Sequence, residues 1–140
     1  MVSGLGFVIA VPAGWDVKRS PGEVSAGKGE DVVSVRTGPL VHPYRAAVAR
    51  GAAKELDQRA AQLADGLRGK AETSCGGCPK IPRAHGDVLV RGYDIRYGDL
   101  VLQMTFVLVD KREYQLSCRR KHDGDTSPCT RLRSSFRLVA

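Results

Sequence analysis

The chain has 140 residues, of which 42% are hydrophobic and 26% are charged. This length suits one domain, and the composition supports a packed core and argues against disorder. No apolar run approaches the about 20 residues that a membrane-spanning helix needs, so we expect no transmembrane segment in a single domain over residues 1–140. The apolar stretch near the N-terminus is too short for a signal peptide, so Met1 starts either a cytoplasmic protein or a chain whose leader was removed.

The formal net charge is +7, and most of the basic residues are arginines. The candidate residues for binding an anion or a partner are Arg119, Arg120, Lys121, Arg131 and Arg133. Basic residues are spread along the chain and lack interleaved aromatic residues, so we do not expect a nucleic-acid partner. A protein or peptide partner, or an anionic surface, fits this charge better.

The first third of the chain predicts three strands. Residues 5–11 read as a buried strand that ends at Pro12, followed by a turn and Trp15 as a core anchor. Residues 24–28 predict a weak strand, and residues 31–37 alternate with the period of two that is typical of a strand.

One long helix is predicted over residues 42–68, with Pro43 in its first turn. Its apolar residues recur at steps of three and four and define one buried stripe. The stripe consists of Ala49, Ala53, Leu56, Ala60, Leu63 and Leu67.

Three strands in series follow, over residues 87–97, 100–109 and 113–119, joined by the tight turns Gly98-Asp99 and Asp110-Lys111-Arg112. The middle strand is apolar on both faces, which indicates a central strand that is covered on both sides. A short C-terminal helix places Leu132 and Phe136 four residues apart. The element order predicts an α+β fold, in which helices pack on the faces of an antiparallel sheet.

Three local motifs accompany this element order: "GFVIAVPAGW" at residues 6–15, "REYQLSC" at 112–118 and "CTRLRSSFRL" at 129–138. With them the chain resembles the PsbP-like superfamily, which includes an extrinsic photosystem II subunit, Ran-binding Mog proteins and small bacterial periplasmic proteins and lipoproteins. The resemblance implies an α/β/α sandwich that acts as a binding or assembly module. It supplies no catalytic residues, and the segment "CGGC" at residues 75–78 lies outside the family pattern.

The four cysteines allow three complete pairings. A Cys118–Cys129 disulfide would close a polar loop and join the last helix to the sheet. A Cys75–Cys78 disulfide would close a small ring, which the two intervening glycines permit. Two disulfides would indicate a periplasmic or extracellular protein.

Two other uses of the cysteines remain open. A structural zinc site would combine Cys75 and Cys78 with two of Cys118, His122 and Cys129, and would favour an intracellular protein. A thiol–disulfide oxidoreductase would use Cys75 and Cys78, although Pro79 prevents the helix start that usually activates such a pair.

The leading hypothesis is a non-enzymatic binding or assembly module, periplasmic or secreted, stapled by Cys75–Cys78 and Cys118–Cys129 and without a cofactor. No nucleophile motif accompanies the histidines, so no catalytic residue is assigned. The zinc-stabilised cytoplasmic module is the alternative, and the oxidoreductase is the third hypothesis.

Overall fold

The computed structural model describes residues 1–139. Within them the chain forms ten strands, two α-helices and single 3₁₀ turns at Ala46–Val48 and Arg83–His85. The strands before the long helix are β1 (Val2–Gly4), β2 (Phe7–Ile9), β3 (Asp16–Ser20), β4 (Glu23–Lys28) and β5 (Asp31–Pro39). The remaining elements are α1 (Ala49–Gly66), β6 (Lys70–Thr73), β7 (Val88–Tyr97), β8 (Leu100–Val109), β9 (Arg112–Lys121), α2 (Ser127–Ser135) and β10 (Arg137–Leu138).

Seven strands form one antiparallel sheet in the order β3-β4-β5-β9-β8-β7-β6. Helix α1 packs on one face of this sheet, against β6 and β7. The other face is covered by α2 and by a small sheet of order β1-β2-β10. The predicted α+β class, with one long helix and a short C-terminal helix on an antiparallel sheet, is confirmed.

Strand β8 lies inside the sheet between β9 and β7, and its two faces belong to two separate cores. Met104, Phe106 and Leu108 pack with α1, whereas Val107 and Val109 pack with α2 and the small sheet. Side chains alternate between faces along a strand, so every residue of β8 needs a covering layer. The predicted double-sided burial of this strand is confirmed.

Helix α1 begins seven residues later than the predicted start at residue 42, with Ala49 as its first residue. The preceding chain is held in an extended path because the Leu40 and Tyr44 amides donate to the carbonyls of Lys111 and Asp110. The predicted buried stripe is also wrong in one position: Leu63 is 37% exposed, and Ala64 is buried in its place.

The N-terminal region also differs from the prediction. The single strand expected over residues 5–11 is a hairpin of β1 and β2 that turns at Leu5 and Gly6. Both residues have positive φ, of 55° at Leu5 and 85° at Gly6, and glycine adopts such a conformation without a steric cost. Phe7 follows the turn and stacks on Phe136 with ring centroids 5.8 Å apart.

Both predicted disulfides are present. Cys118 of β9 and Cys129 of α2 lie 5.4 Å apart between their Cα atoms and are buried where these two elements pack together. Cys75 and Cys78 lie 5.1 Å apart in the loop after β6, where Gly77 has a φ of 73°. The first disulfide ties α2 to β9, and the second closes a local turn.

We expect replacement of both Cys118 and Cys129 by alanine to lower the free energy of unfolding by about 3 kcal/mol, because the disulfide restricts the unfolded chain. Urea denaturation of the two proteins measures the difference. Replacing Cys75 and Cys78 is the matched control, with an expected loss of about 2 kcal/mol or less for its shorter loop. A larger loss in the control than in the Cys118/Cys129 variant would contradict the prediction that the Cys118–Cys129 disulfide contributes more to stability.

Candidate functional site

The five basic residues predicted to bind a partner do not form one surface. Because β9 alternates between faces, Arg119 points to the α1 side and Arg120 to the α2 side. Lys121 lies 3.9 Å from a Glu30 carboxylate oxygen at the end of β9, and Arg131 is exposed on α2. Arg133 is only 3% exposed, so it lies beneath the surface on which Arg131 is exposed.

The α1 face of the large sheet is wider than the helix that covers it. Seven strands about 4.8 Å apart span about 29 Å, whereas a helix with its side chains is about 10–12 Å wide. The helix packs on β6 and β7, so the α1-facing side chains of β9 and β5 are only partly covered. A groove results between the flank of α1 and these two strands, and we call it the α1 groove.

The first half of the α1 groove is a cavity of about 680 Å³ at the N-terminal end of the helix. Its floor includes Leu108, and its walls include Val41 and Val48. Val41 is 94% exposed and Val48 is 52% exposed. Aliphatic side chains are therefore exposed to solvent at this end of the groove.

The second half is a cavity of about 240 Å³ at the C-terminal end of α1. Leu63 and Leu67 of the helix and Leu102 of β8 supply its apolar lining. Arg119 supplies the positive charge at this end, and its Nε donates to the Glu30 carbonyl oxygen at 3.0 Å. The second cavity therefore combines an apolar wall with one positively charged side chain.

An ion pair lines the first cavity. The Arg59 guanidinium of α1 donates to both Glu113 carboxylate oxygens, at 2.5 Å and 3.3 Å. The same guanidinium stacks 4.9 Å above the Phe106 ring centroid. This ion pair joins α1 to β9 across the groove.

A second polar cluster holds the opposite flank of α1. Arg91 of β7 donates two hydrogen bonds to the Asp57 carboxylate, at 2.7 Å and 3.0 Å, and the Tyr93 hydroxyl also donates to Asp57. The Arg91 bonds, and then the Tyr93 bond, lower the pKa of Asp57 below its ordinary value of 3.8. Burial, followed by the neighbouring Asp57 carboxylate, raises the pKa of Tyr93 to about 12. Asp57 is therefore an anion and Tyr93 a neutral donor at physiological pH.

The residues of the zinc hypothesis are not brought together. Cys75 and Cys78 are joined to each other in one disulfide, and Cys118 is joined to Cys129 in the other. His122 is exposed after β9, with its Nε2 3.4 Å from an Arg96 nitrogen. Across residues 1–139, no three His, Cys, Asp or Glu side chains converge in the manner of a metal site. In the same range, no helix is long and apolar enough to cross a membrane.

Sequence reasoning did not find the α1 groove. It depends on the distance in space between α1 and β9, which are far apart in sequence. The one local signal was Leu63, a leucine in an alanine-rich helix. The prediction placed it in the buried stripe, whereas it faces the groove.

No family model and no curated protein matches this chain. A crystal structure of a protein from Bacteroides thetaiotaomicron VPI-5482 is similar in fold, with a TM-score of 0.57 and 10% sequence identity. The match covers 96% of this chain and 46% of that chain, so this chain spans about half of the matched structure. At this identity the likeness shows the fold, and function has to be argued from the site.

We expect Asp57→Asn to lower stability at neutral pH by about 1 kcal/mol, since the ion pair with Arg91 is partly exposed. The lowered pKa of Asp57 means that its contribution is present above its ordinary pKa and is lost as pH falls through the folded value. The melting temperatures of wild type and variant should therefore differ at about pH 6, and this difference should disappear as the pH is lowered toward about 2. Asp65→Asn, at an exposed position of α1, is the control. A gap that persists unchanged at the acid end would contradict the assignment.

Proposed function

We propose that the protein is a PsbP-like binding or assembly module that acts outside the cytoplasm and takes an extended segment of a protein partner into the α1 groove. The observation that carries this proposal is the pair of cavities along one flank of α1, lined by exposed aliphatic side chains. Such side chains lose contact with water when a partner covers them, and this burial supplies binding free energy.

The spacing of the two cavities defines what the partner segment must carry. Their helix residues run from Ala52 and Glu55 at one end to Leu63 and Leu67 at the other, an axial separation of about 18 Å at about 1.5 Å per residue. An extended chain covers this distance in about five or six residues. The fitting segment therefore has two apolar side chains about five or six positions apart.

The charge of the protein adds a second requirement. Arg119 lies beside the second cavity, and the whole chain carries a formal net charge of +7. An acidic residue next to the second apolar side chain would meet Arg119, and an acidic partner would be attracted to the protein over a longer range. A partner segment of apolar and acidic residues fits both features.

The disulfides support the proposed location. Both cysteine pairs have disulfide geometry, and such bonds persist in the periplasm and the extracellular space but are rare in the cytosol. The resemblance to the PsbP-like superfamily, whose members include small periplasmic proteins, points to the same compartments. The zinc-stabilised cytoplasmic alternative would need all four thiols reduced.

A displayed library of random dodecapeptides tests the groove directly. We expect selection on the wild-type protein to enrich peptides with two apolar residues at the stated spacing and an acidic residue beside the second. Binding of an enriched peptide to Val48→Glu and Leu63→Glu should fall at least about tenfold, because each buried aliphatic side chain contributes about 1.5–3 kcal/mol. Titration calorimetry measures the change.

Val17→Glu is the matched control, because Val17 is 41% exposed on β3, outside the groove. Arg119→Ala should weaken binding, whereas Arg131→Ala on α2 should leave it unchanged. Enriched peptides that bind both groove variants as well as wild type would place the site elsewhere and refute the proposal. Failure to enrich any peptide family would refute it as well.

A further inference from the structure

The two disulfides differ in their accessibility. Cys118 is 2% exposed and Cys129 is 1% exposed, so a thiol in solution does not reach them. Cys75 is exposed, and Cys78 is partly buried. Thiol exchange requires a thiolate to approach one sulfur along the S–S axis, so Cys75 is the sulfur of this protein that is open to attack.

A buried cation lies directly beneath the Cys75–Cys78 turn. Arg133 extends from α2 between the sheet and the loop, where its Nε donates to the Thr105 hydroxyl at 2.7 Å. Its Nη1 lies 3.4 Å from the Gly76 carbonyl oxygen, inside the disulfide ring. The guanidinium therefore contacts the loop that carries the disulfide.

The surroundings of Gly92 in β7 show how near Arg133 comes to the Cys78 sulfur. A Cβ atom on Gly92 would lie 2.9 Å from an Arg133 nitrogen and 3.2 Å from the Cys78 sulfur, and would also collide with the Ser74 carbonyl oxygen. The Arg133 nitrogen and the Cys78 sulfur thus flank one small space, at most about 6 Å apart, which is the distance at which a cation lowers an acid's pKa by about 1–3 units. Only glycine at position 92 permits this approach.

The charge of Arg133 is weakly compensated. Its nearest carboxylate oxygen is Asp94 Oδ1 at 3.9 Å, and that oxygen makes no hydrogen bond. Burial lowers the pKa of the Arg133 guanidinium, and the Asp94 carboxylate raises it in part. An arginine keeps its proton in a protein interior, so a new anion at Cys78 would relieve an electrostatic cost that the folded protein already carries.

We propose that Cys75–Cys78 is a redox-active disulfide that oxidises dithiols, with Cys75 as the attacked sulfur and Cys78 as a leaving thiolate stabilised by Arg133. One thiolate of the substrate dithiol forms a bond to Cys75 Sγ, the Cys75–Cys78 bond breaks, and its electron pair goes to Cys78. The second substrate thiolate then attacks the substrate sulfur in the mixed disulfide and releases Cys75. The substrate loses two electrons and two protons and becomes a disulfide, and Cys75 and Cys78 become thiols.

This activity is independent of the α1 groove. The groove lies on the α1 face of the large sheet, whereas Gly92 and Arg133 lie on the α2 face. Failure of peptide binding and failure of thiol exchange are therefore separate results, measured on separate variants.

Glutathione redox buffers test the proposal on the intact oxidised protein. After equilibration, free thiols are trapped with iodoacetamide and assigned by peptide mass. We expect Cys75 and Cys78 to become alkylated while Cys118 and Cys129 stay paired and the protein stays folded. Reduction of Cys75–Cys78 that occurs only together with unfolding would overturn the proposal.

Arg133→Gln tests the role of the cation. We expect the equilibrium between dithiol and disulfide to shift about tenfold toward the disulfide, about 30 mV for a two-electron couple, and Arg133→Lys to restore most of the loss. An unchanged midpoint in a folded Arg133→Gln protein would overturn the assignment. Should that variant fail to fold, thiolate absorbance of the reduced wild type decides: a titration midpoint below about 8.5 supports the proposal, and one at or above it refutes the proposal.

Discussion

The whole architecture depends on the double-sided burial of β8. Its ten residues from Leu100 to Val109 leave apolar side chains on both faces, and each face needs a layer of its own. The chain meets this requirement with different elements on the two sides. One long helix covers one face, and a short helix with a small three-stranded sheet covers the other. Neither layer covers its face of the sheet with apolar side chains alone, and the place where each falls short is a candidate site.

On the first face, the incomplete region is the α1 groove. A single helix cannot cover seven strands, and α1 is held near β7 by Asp57 and Arg91 on one flank. On its other flank the bond from Arg59 to Glu113 ties the helix to β9, in the opposite direction. The two ion pairs act against each other along the width of the sheet, so the groove is a fixed feature of the packing. Neither pair needs to add much stability to have this effect, since exposed ion pairs contribute little.

On the second face, the incomplete region is polar. Helix α2 is only nine residues long, and its tie to β9 is covalent, through Cys129 and Cys118. The space between α2 and the sheet holds Arg133 and the "CGGC" loop. Burial of a guanidinium whose neighbouring carboxylate oxygen lies 3.9 Å away costs free energy, which gives this region a physical reason to favour an anion.

Much of the fold could be predicted because its signals are local. The strands β7, β8 and β9 are separated by short polar turns, and the prediction placed their ends within two residues of the observed ones, as is usual for boundaries. The start of α1 was misplaced because Pro43 suits a first helical turn, while the bonds from Leu40 and Tyr44 to distant carbonyls decide its path. Strand β3 was missed because all five of its residues are exposed, which removes the apolar alternation on which a prediction depends.

The positions of Leu63 and Arg133 show where sequence reasoning ends. A leucine in a buried stripe and an arginine in a basic run have the common assignments of core and surface, and both assignments are reversed here: Leu63 is 37% exposed and Arg133 is 3% exposed. The reversal has one cause, since a helix has neighbours on only part of its circumference and the sequence does not state which part. Residues whose burial contradicts their chemistry carry a free-energy cost, and a bound ligand or a new charge can relieve it. The two proposed sites include these two residues, and they lie on opposite faces of the large sheet.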